Sequence, residues 1–377
     1  MKSPKACKRV ALAICALAFM CADFALAQNN GVTATIMGRF NEPWAFTFLP
    51  DGRALVTEKP GALKLLAAQD QIYDISGVPA VAYGGQGGLG DVVLHPNFAG
   101  NQLVYISYAE AGTGGTTGAV VARARLQLTA TGGALSDLEV VWRQTPKVVG
   151  QGHYSHRIAF DAAGMLWISS GERQQFTPAQ QMDTNLGKII RLRDDGSVPA
   201  DNPFATMGGV TAQIWTLGHR NVLGLAFDSA GRLWDVEMGP QGGDELNLIV
   251  RGANYGWPLV SNGRNYNSPT DDIPNHSTRP DFAAPAASTP DSTVVSPSNL
   301  MFYSGSQFPD WQGDAFISGL TYGTLSRIEF NGTNAHEAQR WRFAGTRVRS
   351  VEQGPEGGIW LLEDGANGRL VKYTSAR

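Results

Sequence analysis

Cysteine is scarce in this sequence and confined to one end: of 377 residues, only Cys7, Cys15 and Cys21 are cysteines. Whatever folds beyond residue 27 has no disulfide and no thiolate metal site, so its stability has to come from a large apolar core. Long apolar runs are missing too. The run from Val10 to Met20 falls short of the roughly twenty residues a helix needs to cross a bilayer, and nothing later in the chain offers such a span. Positive charge is in deficit, with 30 Lys and Arg against 33 Asp and Glu. That balance argues against nucleic acid or an anionic membrane as partner. Few stretches show the i, i+3, i+4 apolar spacing of amphipathic helices.

The N-terminus carries Lys2, Lys5, Lys8 and Arg9, then the short apolar run, then Ala25-Leu26-Ala27. This is the layout of a secretory signal peptide. Residues 1–27 are expected to be removed, leaving 28–377 as one exported domain, periplasmic or secreted, with no membrane span. Lipoprotein cleavage before Cys21 is disfavoured by Ala18-Phe19-Met20. Losing the leader's four basic residues and Asp23 leaves 26 basic against 32 acidic residues, a formal charge of −6.

Glycine and proline are plentiful, at 45 and 20. One pattern recurs six times: a turn containing Gly, then a strand of aromatic and aliphatic residues. The copies are Phe48 to Val56, His95 to Ile106, Phe160 to Trp167, Phe227 to Trp234, Phe308 to Ile317 and Gly354 to Trp360. A hairpin turn needing positive φ at Gly, followed by bulky residues that wedge between sheets, gives the physical sense of the repeat. Six such units predict an all-β, six-bladed β-propeller of four-stranded antiparallel sheets with long loops on one face. The longest expected insertion is Gly263 to Ser296, and the loop-bearing face is where ligands are expected. On fold alone, a protein-binding platform is the rival reading.

Four segments place polar residues where strands favour apolar ones. In Gly150 to Phe160, His153 sits in a glycine-flanked loop, exposed and able to take a proton near neutral pH. A loop histidine bonded to backbone is the rival reading, and a metal pair with His156 lacks a third ligand nearby. In Trp215 to Leu225, Arg220 and Asn221 put a cation and an amide together, suited to a carboxylate or a developing oxyanion; a capped surface turn would look similar. In Glu237 to Asn247, followed by Asn254-Tyr255-Gly256-Trp257-Pro258, Gly239 and Pro240 bend the backbone so that carbonyls can face one hard cation, with Asp244 and Glu245 supplying charge. The regular spacing of a helix-loop-helix calcium site is absent. In Gly345 to Ser350, Arg347 and Arg349 share a strand face and form an anion site, or else simply decorate an edge strand.

Together these segments resemble the soluble pyrroloquinoline-quinone-dependent aldose or glucose dehydrogenases, the glucose/sorbosone dehydrogenase family. The resemblance runs from about Asn41 to Lys372 and is most specific at Gly85-Gln86-Gly87-Gly88-Leu89, at Leu217-Gly218-His219-Arg220-Asn221, from Gly239-Pro240 through Leu248, and at Asn254 to Pro258. It implies oxidation of the anomeric hydroxyl of an aldose to a lactone, with His153 as the general base and hydride passing to the quinone. It further implies cofactor contacts at Gln86, Arg220, Asn221, Tyr266, Arg347 and Arg349. Calcium would be held by the carbonyls of Gly239 and Pro240, and a second calcium by Glu245 with Tyr255. Three quinone carboxylates fit the arginines, and calcium polarises the carbonyl that accepts hydride.

The chain departs from the family at Thr321, where close members have a lysine that reaches the cofactor. The site is then one cation poorer. The electron acceptor is not identified, and monomer and homodimer are both compatible with the sequence. Two rival functions follow, a sugar- or protein-binding propeller without cofactor and a calcium-dependent lactonase-like hydrolase.

Overall fold

The computed structural model describes residues 31–266, 273–289 and 295–376. The expected leader, residues 1–27, and parts of the expected insertion lie outside the described residues. Strand β1 (Val32–Phe40) belongs to the last blade. The first blade is β2 (Pro43–Phe48), β3 (Ala54–Glu58), β4 (Ala62–Ala68) and β5 (Gln71–Ser76). The second is β6 (Leu89–Leu94), β7 (Leu103–Ala111), β8 (Thr117–Thr129) and β9 (Gly132–Arg143), and the third is β10 (Ser155–Phe160), β11 (Leu166–Ser170), β12 (Lys188–Leu192) and β13 (Ile214–Leu217). The fourth is β14 (Val222–Phe227), β15 (Leu233–Glu237), β16 (Glu245–Leu248) and β17 (Ala287–Ser288). The fifth is β18 (Pro297–Phe302), β19 (Ala315–Gly319), β20 (Thr324–Asn331) and β21 (Asn334–Arg342). The sixth is β22 (Val348–Gln353), β23 (Ile359–Glu363), β24 (Gly368–Ser375) and β1.

Strands within each blade pair antiparallel, and a short parallel pairing of β5 with β9 links the first two blades. The first strands of successive blades, β2, β6, β10, β14, β18 and β22, pack side by side, and β22 returns to β2. That circuit is a six-bladed propeller. The ring is fastened by β1, which pairs with β24 from Val32↔Ser375 to Phe40↔Gly368, so the two ends of the described chain hold one blade together.

Each recurring turn is the hairpin between a blade's first and second strands. Five of its glycines adopt the left-handed conformation, with φ of 86° at Gly52, 79° at Gly164, 75° at Gly231, 88° at Gly313 and 83° at Gly357. The second blade departs from the expectation. Its Gly100 lies in a helical turn, Phe98–Asn101, and Gln102 takes the left-handed position instead, with φ 56°. The second strands β3, β11, β15, β19 and β23 are buried along their whole length, because a blade's two faces both meet neighbouring blades. Their apolar residues therefore do not alternate with exposed polar ones, and the polar residues they carry, such as Thr57, Ser169, Asp235 and Glu237, are buried too.

Three of these strands carry a tryptophan whose Nε1 donates to a carboxylate of the preceding turn: Trp167 to Asp161 at 3.0 Å, Trp234 to Asp228 at 2.9 Å and Trp360 to Glu356 at 2.8 Å. The indole thus fills the wedge between blades while its polar atom is satisfied at the edge. Trp234 is fully buried. Trp234→Ala is therefore expected to destabilise the fold by about 3–5 kcal/mol, the usual cost of emptying a large core site. Denaturant unfolding would measure it, and a loss under about 1 kcal/mol would mean that the wedge is not a stability determinant.

Since the six turns occupy one end of the ring, loops from second to third strands and from blade to blade emerge at the other. Residues 77–88, 144–154, 171–187, 218–221, 238–244, 320–323, 343–347 and 364–367 therefore gather on one face. Residues 249–266, after β16, rise to that face as well, pairing Asn254 with Leu217 and Arg264 with Gln241.

Candidate active site

His153 is placed by strained backbone. It, Ser155 and His156 are all left-handed, with φ of 47°, 58° and 57°, a cost that non-glycine residues bear only when the surroundings enforce it. The enforcing contacts are visible: Gln86 Oε1 accepts the His153 backbone N–H at 2.8 Å, and the imidazole Nδ1 is hydrogen-bonded to Glu172. Glu172 is itself fixed, accepting the N–H groups of Gln174 at 3.0 Å and Phe176 at 2.6 Å. With Nδ1 committed, Nε2 is the ring nitrogen left to exchange a proton.

The sequence placed His153 in the open, and the structure corrects this: only 6% of it is exposed. Burial lowers its pKa below the ordinary 6.5, the Glu172 hydrogen bond opposes that, and the nearby Arg220 charge adds to the lowering. His156 forms no metal pair with it. Its Nδ1 meets Ser107 Oγ at 2.7 Å, its ring stacks on Trp44 at 5.0 Å, and burial drives its pKa to about 3.

Arg220 follows β13. Its backbone N–H donates to Glu237 at 2.6 Å, Nη1 donates to the Met238 carbonyl at 3.0 Å, and the guanidinium lies over Trp257. Asn221 is anchored by Ser155 Oγ at 3.1 Å. The two arginines at the start of β22 do come together, but through a residue the sequence reading missed. Arg347 and Arg349 share Asp364 Oδ2 at 3.1 and 2.7 Å. Burial pushes the Asp364 carboxyl up, but Arg349 and then Arg347 more than reverse this and hold it below the usual carboxylate range. Arg220 Nε and Arg349 Nε are buried without a hydrogen-bond partner.

The Gly239-Pro240 loop closes tightly: a Cβ on Gly239 would stand 2.2 Å from the Gly242 oxygen and 2.3 Å from that of Gly243. The Pro240 carbonyl accepts from the Tyr266 hydroxyl at 2.7 Å, with the Tyr266 ring otherwise exposed at the rim. Asp244 is spent on backbone amides, those of Gly239 at 3.1 Å, Val295 at 2.8 Å and Ser296 at 3.0 Å, and so braces the loop instead of supplying charge to a cation. Glu245 and Tyr255 do line one cavity with Glu237, Gly239 and Pro240. The Tyr255 hydroxyl turns away to the Leu248 carbonyl, leaving its own carbonyl toward His276 Nε2 at 3.2 Å.

Behind this cavity lies a second feature that sequence reading missed. His219 Nδ1 is 3.2 Å from Glu237 Oε1 and 3.4 Å from Asp235 Oδ2, and Asn247 Nδ2 bridges the two carboxylates at 3.1 and 3.2 Å. Asp235 Oδ2 is buried and accepts no hydrogen bond. Burial, reinforced by the Glu237 charge, holds Asp235 and Glu245 well above the usual carboxylate range. The available signal was the i, i+2 placement of Asp235 and Glu237 on one face of β15.

Thr321 contributes no charge, and its hydroxyl is 2.8 Å from Ser296 Oγ. The axial cavity, about 330 Å³, is lined by the apolar Trp44, Leu223 and Met238 and by the polar Lys59, Gln86, Arg347, Arg349 and Asp364. A second cavity of about 320 Å³ opens between the fourth and fifth blades. It meets none of Gln86, Arg347 and Arg349, which line the axial one, where Gln86 also holds the backbone of His153.

Comparison with known proteins bears on the family and the fold. A family model described as Glucose / Sorbosone dehydrogenase matches residues 40–372. Aldose sugar dehydrogenase YliI of Escherichia coli (strain K12) is 37% identical over 343 residues, covering 90% of this chain and 91% of its own. The apo form of the soluble aldose sugar dehydrogenase (Asd) from Escherichia coli superposes with a TM-score of 0.84 at 36% identity, covering 91% of this chain and 99% of that one. The PQQ-bound form of Aldose Sugar Dehydrogenase (Adh) from Streptomyces coelicolor gives a TM-score of 0.74 at 26% identity, covering 91% and 98%. Among the described residues, no helix is long and apolar enough to cross a membrane.

Proposed function

The chain belongs to the Glucose / Sorbosone dehydrogenase family, and on that premise we propose that it is a sugar oxidoreductase that oxidises the anomeric hydroxyl of aldoses to lactones with pyrroloquinoline quinone beside calcium. The observation that carries the reading is the axial cavity, lined by Arg347 and by Arg349, whose buried Nε lacks a partner, with the carboxylate-held base His153 tied through its backbone to the cavity residue Gln86 and Arg220 lining the neighbouring cavity. A flat tricarboxylate suits such a space, its ring against Trp44, Leu223 and Met238 and its carboxylates toward the cations. When bound, the quinone accepts the hydride and calcium polarises its carbonyl.

The protein's own part is binding, orientation and proton transfer. His153 Nε2 takes the proton of the anomeric hydroxyl as the C–H bond breaks, and Glu172 on Nδ1 keeps the ring in the accepting tautomer and orientation. Gln86 holds the His153 backbone, while Arg220, Asn221, Arg347 and Arg349 bind the acid groups. Arg220 also faces negative charge that develops on the substrate oxygen. The carbonyls of Gly239 and Pro240 would hold one calcium, with Tyr266 orienting the Pro240 carbonyl, and Glu245 with the Tyr255 carbonyl a second. The chemistry of the donors fits: the carboxylates of Asp235, Glu237 and Glu245 crowd a space where Asp235 Oδ2 has no hydrogen-bond donor, and a hard cation offsets such a concentration.

Export through the leader at residues 1–27 places this activity in the periplasm or outside the cell. The deciding experiment is reconstitution of metal-free, quinone-free protein with quinone and calcium, followed by dye reduction with a panel of aldoses. Quinone- and calcium-dependent reduction supports the dehydrogenase. Uptake of sugar without reduction would favour a binding propeller, and ring opening of lactones by calcium alone would favour the hydrolase.

A further inference from the structure

We propose that Lys59, on the turn between β3 and β4, is a carboxylate-binding residue of the axial cavity and supplies the cation that Thr321 does not. This rests on reading the cavity as a quinone site. Lys59 lines the cavity together with Arg347 and Arg349. Those two arginines share the single carboxylate of Asp364, so part of their charge is already offset within the protein. Another cation lining the same cavity therefore matters for a ligand bearing several acid groups.

The lysine is pinned at its backbone and under-used at its ammonium. Its N–H donates to the Glu42 carbonyl and its carbonyl accepts from Leu89, both at 2.9 Å. Gly88 packs so closely that a Cβ there would lie 2.2 Å from the Lys59 oxygen. The side chain is 13% exposed, and Nζ donates to the Gly85 carbonyl at 3.1 Å, lies 3.5 Å from Glu42 Oε2 and stands 5.9 Å from the centre of the Tyr83 ring, which leaves one of its donors without a hydrogen-bond acceptor. An ammonium has three donors. Lys188 shows a saturated case, donating to the carbonyls of Pro178, Ala179 and Leu186 at 2.8, 3.1 and 2.7 Å, and it lies outside the cavity wall. Lys59 thus has donor capacity to spare and lines the cavity where an acid group is to be met. Glu42, whose other oxygen accepts from Tyr83 at 2.7 Å, orients the ammonium without consuming it.

The test is an equilibrium titration of quinone-free protein with pyrroloquinoline quinone at fixed calcium, read by quenching of tryptophan fluorescence and repeated at two salt concentrations. Lys59→Met is expected to bind roughly tenfold or more weakly than wild type, with a shallower salt dependence, because a charge-assisted contact is lost. Lys59→Arg is expected to stay within about threefold, since a guanidinium also serves a carboxylate. Glu42→Gln separates binding from bracing, because it breaks the ion pair but keeps the ammonium; it is expected to bind as tightly as wild type or tighter. If wild type binds and Lys59→Met binds equally well, this assignment fails alone. If Glu42→Gln weakens binding as far as Lys59→Met, the lysine is a brace and the assignment also fails. If wild type takes up no quinone, the functional reading falls and the assignment with it.

Discussion

His153→Ala is expected to lower sugar-oxidation turnover by about 10²–10⁴-fold, the usual contribution of a positioned general base, while quinone affinity stays within about threefold of wild type. The separation follows from the geometry. The Nδ1–H of His153 is taken by Glu172 and its backbone N–H by Gln86, whereas the polyanion is met by arginines on other loops. The pH profile offers an independent check. Burial lowers the His153 pKa, so the neutral imidazole needed for proton abstraction persists below pH 6.5, and the acid limb of turnover is expected below that value. Glu172 opposes this lowering through its hydrogen bond. Glu172→Gln is therefore expected to move the acid limb to still lower pH and to reduce turnover through a less firmly held ring. Turnover, its pH profile and quinone titration of both variants decide the matter. Near-wild-type turnover in His153→Ala would remove this residue from the mechanism, and an unmoved acid limb in Glu172→Gln would remove the carboxylate.

The repeat was legible because five of the six blades use the same device and the second replaces it with a helical turn ending at Gln102. A turn that reverses the chain calls for Gly at positive φ, and the following strand must fill a wedge, so Gly164 with Trp167 and Gly231 with Trp234 report blades directly. The fastening of the ring was not legible, because β1 and β24 are distant in sequence and their pairing depends on the closed circle itself. The site shows the same division. Arg347 and Arg349 were expected to share a strand face, but Arg347 precedes β22 and the register shifts between Val348 and Ser350, so what joins them is Asp364 from another loop. His153 was misread as exposed because glycine-flanked loops usually are. Here three left-handed residues fold the loop inward onto Glu172, which arrives from the end of β11. Thr321 marked a missing cation, while Lys59 stands in a different blade, where no local pattern relates the two positions.

If calcium occupies the proposed sites, its withdrawal is the other change expected to have a large effect. Exhaustive chelation is expected to abolish turnover, and added calcium to restore it, because the Gly239 and Pro240 carbonyls are dipoles that cannot replace a divalent charge. Stability should follow as well. A ligand that binds only the folded state adds about 2.7 kcal/mol at a hundredfold excess over its Kd, so the thermal midpoint should climb with free calcium. The two expected sites can be told apart by substitution. Gly239→Ala puts a Cβ 2.2 Å from the Gly242 carbonyl oxygen, which forces open the loop beside the quinone, so turnover should stay low even in excess calcium. Glu245→Gln removes one carboxylate from the buried group that also contains Asp235 and Glu237, so it should flatten the calcium dependence of the melting point and spare much of the turnover at saturating calcium. Turnover that persists in protein shown by elemental analysis to hold no metal would overturn calcium's place in the reaction. A melting point that ignores calcium in wild type would overturn the second site, and leave His219 and Asn247 as the partners that hold Asp235 and Glu237 in place.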